Sequence, residues 1–106
     1  MKILVILAHP SPKSFNHAIA DRVKAVLQKN GHQILFHDLY AENLDPLLLS
    51  REIQKDGLTD LVIKKHCDEL VECDGIVVIH PNWWGMPPAI LKGWVDRVLR
   101  SGVAYK

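Results

Sequence analysis

Apolar residues in this chain come in short runs, separated by stretches where they recur every three or four positions. Residues 2–8 are almost continuously Ile, Val and Leu. That pattern predicts a strand buried on both faces, as in the interior of a parallel sheet. A polar loop broken by Pro10 and Pro12 follows, and Ser14 is placed to cap a helix. Phe15, Ile19, Val23 and Val26 or Leu27 then recur at helical spacing, and Asn30-Gly31 supplies the stop. Residues 33–39 alternate in part and predict a second strand. Residues 41–57 carry turn signals at Asn43, Asp45-Pro46 and Asp56-Gly57, with Leu47-Leu48-Leu49 as a short apolar plug. A second helix is expected over 59–72, with Leu58, Val62, His66 and Leu70 along one side. Residues 75–79 (GIVVI) read as a buried strand. After it come a loop with two adjacent tryptophans and a third helix. There Ile90/Leu91, Trp94/Val95 and Val98/Leu99 form the stripe, Pro87-Pro88 suits the first turn, and Ser101-Gly102 is the stop.

The order β-α-β-α-β-α predicts an open, doubly wound parallel sheet with helices on both faces. A five-stranded sheet of this kind needs roughly 150 residues, at about thirty per strand–helix step. The 106 residues have room for three strands. The expectation is therefore a single α/β unit, residues 1–106, forming the N-terminal portion of a larger domain.

Composition narrows the function. Thirteen Lys and Arg nearly balance twelve Asp and Glu, for a net charge of +1. That gives no electrostatic case for binding nucleic acid or an anionic membrane. No apolar run approaches the roughly 20 residues of a membrane span. The first apolar run continues without a break into a loop and helix, so it reads as a strand rather than a leader, and the chain as cytoplasmic. Cys67 and Cys73 are six apart and read as reduced thiols. With His66 they do not make a tetrahedral zinc site, and the other histidines form no HExxH pair, so no metal is expected.

Ligands in such sheets bind beyond the carboxyl ends of the strands, where strand order reverses. Two loops meet that condition, 9–16 and 80–86. The first offers Ser11, Lys13 and Ser14 ahead of a helix N-terminus, which suits a phosphate. It contains no glycine, so it is neither a dinucleotide-binding fingerprint nor a Walker loop. Taken alone, the loop is better explained by Ser14 as a simple cap and Ser11 as a turn residue. The second loop places Trp83 and Trp84 between strand and helix, where they are either the platform for a flat aromatic ligand or apolar plugs. His80 ends a strand and is suited to bonding a loop carbonyl, whereas Trp94 falls on the core stripe. Asp38 could contact a ribose only alongside a Gly-rich loop, which is missing.

Taken together, Ala8-His9-Pro10, Ser14-Phe15-Asn16, Asp38-Leu39-Tyr40, Pro81-Asn82-Trp83-Trp84 and the run PAILKGW (residues 88–94) resemble the flavodoxin-like NAD(P)H:quinone oxidoreductases. That family includes mammalian quinone reductases, bacterial drug-activity-modulator-type reductases and the ancillary flavoproteins of glutathione-gated potassium efflux systems. The resemblance covers the whole chain in order. It implies a 2-1-3-4-5 sheet, of which the first three strands (order 2-1-3) are present, and FMN or FAD as cofactor. It implies hydride transfer from NAD(P)H to the flavin, followed by two-electron reduction of a quinone. His9, Ser11, Ser14, Phe15 and Asn16 correspond to phosphate-side and ribityl-side contacts. Pro81, Asn82, Trp83, Trp84 and Gly85 correspond to the loop that holds the isoalloxazine; Gly85 stands where several members have an aromatic residue. The family's third flavin loop, with its Tyr and His, has no counterpart here, so no catalytic acid or base is assigned. A homodimer is expected. The alternatives are a regulatory subunit bound to a membrane transporter, or an inactive fragment of a reductase.

Overall fold

The computed structural model describes residues 1–54, 57–100 and 102–105. Strand β1 (Lys2–Leu7) is followed by helix α1 (Phe15–Lys29) and strand β2 (Gln33–Asp38). A 3-10 turn (Ser50–Ile53), helix α2 (Leu61–Glu72), strand β3 (Gly75–Ile79) and helix α3 (Ala89–Val98) complete the order. The sheet is parallel with order β2-β1-β3, as expected.

The continuous apolar run explains why β1 is central. Its odd positions Ile3, Val5 and Leu7 pack with Ala20 and Ile79, and with Ile19, Val23 and Leu27 of α1. Its even positions Leu4 and Ile6 pack with Ile63, Cys67, Leu91, Trp94 and Val98 of α2 and α3. Each such side chain contributes about 1.5–3 kcal/mol when fully buried, so the core is concentrated on β1. Burial also pushes the Cys67 thiol above its ordinary value, and both cysteines are free.

Several apolar positions lie elsewhere than the periodicity predicts. Phe15 and Val26 of α1 are exposed, and the buried side is Ile19, Ala20, Val23 and Leu27. In α2 the buried face is Ile63, His66 and Cys67, while Val62 is exposed. Leu47, Leu48 and Leu49 are exposed too, and the neighbouring Leu44 fills the core instead. β3 is only half buried: Ile76 and Val78 are 45% and 44% exposed. The second strand ends at Asp38, α2 begins after its cap Asp60, and Pro88 precedes α3 as its cap. Asp56 and Ser101, expected at a turn and a helix stop, lie outside the described residues.

Buried charge also holds the fold. Arg97 of α3 donates to Glu52 of the 3-10 turn, to Asp60 at the cap of α2, and to the carbonyl of Asp45. Burial of Asp60 opposes its ionisation. The amides of Ile63 and Val62, with the Arg97 guanidinium, outweigh that and hold its carboxyl below the ordinary value.

Candidate functional site

The first and second candidate loops leave neighbouring strands side by side, and the amide of Ala8 donates to the carbonyl of Ile79 at their root (3.0 Å). In the first loop His9 Nδ1 accepts from the Ser11 amide at 3.0 Å, and the Ser14 amide donates to the Ser11 carbonyl at 3.1 Å. Ser14 caps α1 as expected, its Oγ accepting from the His17 amide at 3.1 Å.

The His17 ring extends this contact. Its Nδ1 lies 2.7 Å from Ser14 Oγ and its Nε2 lies 3.1 Å from Asp38 Oδ2. One ring thus touches the Ser14 hydroxyl through one nitrogen and the Asp38 carboxylate through the other. Asp38 also accepts from the Ala41 amide at 3.2 Å. Ser14, His17 and Asp38 thereby bind the start of α1 to the end of β2. His17 was not among the residues the sequence pointed to. The signal for it is the spacing Ser14-x-x-His17, that of a capping box with His in place of Glu. A shallow cleft of about 210 Å³ opens beside these residues, lined by His9, Pro10, Pro12, His17, Asp38 and Tyr40, among others.

The second loop is a tight turn. The Trp83 and Met86 backbones exchange two hydrogen bonds of 3.0 Å across Trp84 and Gly85. Trp84 has φ 57° and Gly85 φ 75°. Two successive positive φ values in a two-residue turn are the type I′ arrangement, which favours Asn-Gly. Glycine fits the second position freely, but a bulky side chain at positive φ carries strain of about 1–3 kcal/mol. Trp84 is 100% exposed, so packing within the described residues does not offset that strain.

The Trp83 ring meets the His9 ring edge-on, 5.9 Å between centroids, and joins the two loops. Pro81, at the foot of the turn, is half-buried, and its carbonyl lies 2.8 Å from His80 Nδ1. Asn82 and Gly85 are exposed. Asn16 is half-buried and Phe15 exposed at the start of α1. Trp94 is not part of this surface. It is buried in the core, and its indole N–H donates to His66.

The family model of the flavodoxin-like fold matches residues 1–106. The chain belongs to that family. Among curated relatives, a Haemophilus influenzae protein named as an uncharacterized NAD(P)H oxidoreductase is 43% identical, covering 100% of this chain and 54% of the relative. The rat NAD(P)H dehydrogenase (quinone) 1 is 32% identical, covering 98% of this chain and 45% of the relative. Among solved structures, an NAD(P)H:quinone oxidoreductase from Methanothermobacter marburgensis superposes with a TM-score of 0.88 at 32% identity, covering 99% of this chain and 56% of that one. The chain spans about half the length of these relatives. In this flavodoxin-like chain both loops stand at the carboxyl ends of adjacent strands, where open α/β sheets bind ligands. No helix among the described residues is long and apolar enough to cross a membrane.

Proposed function

We propose that this chain carries the flavin-holding loops of a cytoplasmic NAD(P)H:quinone oxidoreductase that works as a homodimer. The observation that carries this reading is Trp84. It is a fully exposed indole held at positive φ on the tip of a hydrogen-bonded turn. Strain of this kind persists where the surroundings over-determine it, and it clusters at ligand-binding sites. The names of the relatives support the reaction class.

The donor set fits a flavin nucleotide. The first turn of α1 carries no acidic side chain, so the positive end of its dipole is left for an anion. In this reading His9, Ser11, Ser14 and Asn16 hold the phosphate and ribityl chain, with Phe15 covering one side. Trp84 stacks on the ring system, Trp83 buttresses it through His9, and Pro81, Asn82 and Gly85 offer backbone groups to its polar edge. FMN or FAD supplies hydride transfer when bound, while the protein supplies position, polarity and exclusion of water.

Titration with FMN and FAD, followed by flavin fluorescence, tests this. Stacking on an aromatic side chain contributes about 1–3 kcal/mol in the comparable nucleobase case. Trp84→Ala should therefore weaken binding roughly five- to 150-fold, while the fold, checked by circular dichroism, is kept. Equal affinity of the wild type and Trp84→Ala would refute the stacking role. Absence of flavin binding by the wild type would refute the claim that these two loops suffice.

A further inference from the structure

The face of the sheet under α2 holds a group of side chains that the flavin reading does not use. His37, near the end of β2, turns toward α2. Glu42 lies in the loop that follows β2, and His66 and Glu69 come from α2 itself. We propose that His37, Glu42 and His66 form a binding site for a divalent transition metal of the zinc class.

One ligand atom from each of the three residues lies within 4.8 Å of the other two. Glu42 joins the imidazoles, with Oε2 2.6 Å from His37 Nδ1 and Oε1 3.0 Å from His66 Nε2. A cation at that junction displaces the protons that hold these two hydrogen bonds, one to solvent and the other to His66 Nδ1, and puts three coordinate bonds in their place. The two rings lie side by side, their centroids 3.9 Å apart and their planes tilted by 34°. Two imidazole nitrogens and one carboxylate are the donor set of open zinc sites, in which water completes the tetrahedron. That donor set selects zinc, cobalt or nickel over magnesium and calcium, which prefer oxygen throughout.

The surroundings fit the same reading. Glu69 pairs with His37 Nε2. A carboxylate there keeps the proton on Nε2 when Nδ1 gives up its own to ligate, the usual outer partner of a metal-bound imidazole. His37 and His66 are buried, whereas Glu42 is exposed, which leaves access for the ion and a position for water. Glu42 and Glu69 bring two carboxylates to the cluster, a setting that suits a divalent cation. None of the four residues belongs to loops 9–16 or 80–86.

One contact changes on binding. Trp94 Nε1 donates to His66 Nδ1 at 3.1 Å. With Nε2 on the metal, the ring proton moves to Nδ1, and two donors then face each other. The indole must turn away, so binding costs that hydrogen bond and alters Trp94 emission. The metal joins β2, its following loop and α2, and its binding free energy adds to that of folding.

The test uses the whole chain, stripped with a chelator and titrated with Co²⁺ and then Zn²⁺. The expected result is one-to-one Co²⁺ binding with the strong visible bands of a four-coordinate ion, their displacement by Zn²⁺, and a parallel change in tryptophan emission. Glu42→Gln, an exposed and isosteric change, and His37→Ala should abolish the bands. Glu69→Gln should weaken binding roughly tenfold to a hundredfold. His80→Ala should leave binding unchanged. A cobalt spectrum that stays that of the hydrated ion would overturn the proposal, as would binding of equal strength in folded Glu42→Gln.

Discussion

Gly93, in the middle of α3, is a position where two physical effects oppose each other and the structure decides between them. By helix propensity alone, Gly93→Ala should stabilise the protein by about 1 kcal/mol. An added Cβ, however, would lie 2.2 Å from Pro46 Cβ, 2.3 Å from Pro46 Cα and 2.6 Å from the Pro46 carbonyl oxygen. Carbon atoms pack best at about 3.5–4.0 Å, so α3 and the Pro46 segment would have to separate by more than an ångström or so. That separation is resisted by the two residues just before Pro46. Leu44 is in the core, and Arg97 donates to the Asp45 carbonyl at 2.8 Å. All three close atoms are backbone or directly attached to it, so no side-chain rotation relieves them. Overpacking of this kind costs about 1–3 kcal/mol and occasionally more, which exceeds the propensity gain over most of its range. Approaches this close place the cost in the upper part of that range, about 2–3 kcal/mol, so the expected outcome is a net loss of about 1–2 kcal/mol and a fall in Tm of roughly 4–16 °C for a domain of this size. Urea unfolding followed by Trp94 emission measures it. Lys92→Ala, exposed on the same helix, is the control and should stay within about 0.5 kcal/mol of the wild type. A Gly93→Ala protein as stable as the wild type, or more so, would show that the two segments yield freely and would refute the reasoning.

The lowered carboxyl value of Asp60 has a signed consequence. Its stabilising contribution is present above the unfolded value of 3.8 and is lost as pH falls through the lower folded value. Asp60→Asn keeps a capping oxygen but removes the charge facing Arg97. Its stability should therefore fall less steeply than that of the wild type between about pH 5 and pH 3, and parallel urea-midpoint curves would contradict this. A second expectation concerns β3, which pairs only with β1 among the described residues and exposes Ile76 and Val78. An apolar edge of this kind recruits another strand, so sedimentation should show concentration-dependent self-association that Val78→Lys reduces. A monomer at every concentration would count against it.

The features legible in the sequence are those whose cause is local. The apolar run of β1 needs no partner to be recognised, and with right-handed crossovers it leads to the order β2-β1-β3. Ser14 is read as a cap because the cap contact spans three residues, and the α3 stripe because its period is intrinsic to the helix. Apolar character alone does not say which face will be covered. Phe15, Val62 and Leu47 are as hydrophobic as their buried neighbours, yet they point to solvent. Ala20, Cys67 and His66 occupy the buried positions instead. In α2 the chain takes an imidazole into the core because Trp94, 28 residues away, and Glu42, 24 residues away, supply its hydrogen bonds. Arg97 is buried for the same reason, by carboxylates 45 and 37 residues away. No short window contains both halves of such a pair, so hydropathy assigns Arg97 and its carboxylate partners to the surface, and the helical period alone does not say what His66 bonds. Trp84 stands between these cases. A Trp-Gly pair marks a turn only weakly, and its left-handed backbone emerges once Trp83 and Met86 are seen to bond across it. Local rules thus reach the loop that carries Trp84 but not its left-handed backbone, and they miss the polar cluster under α2.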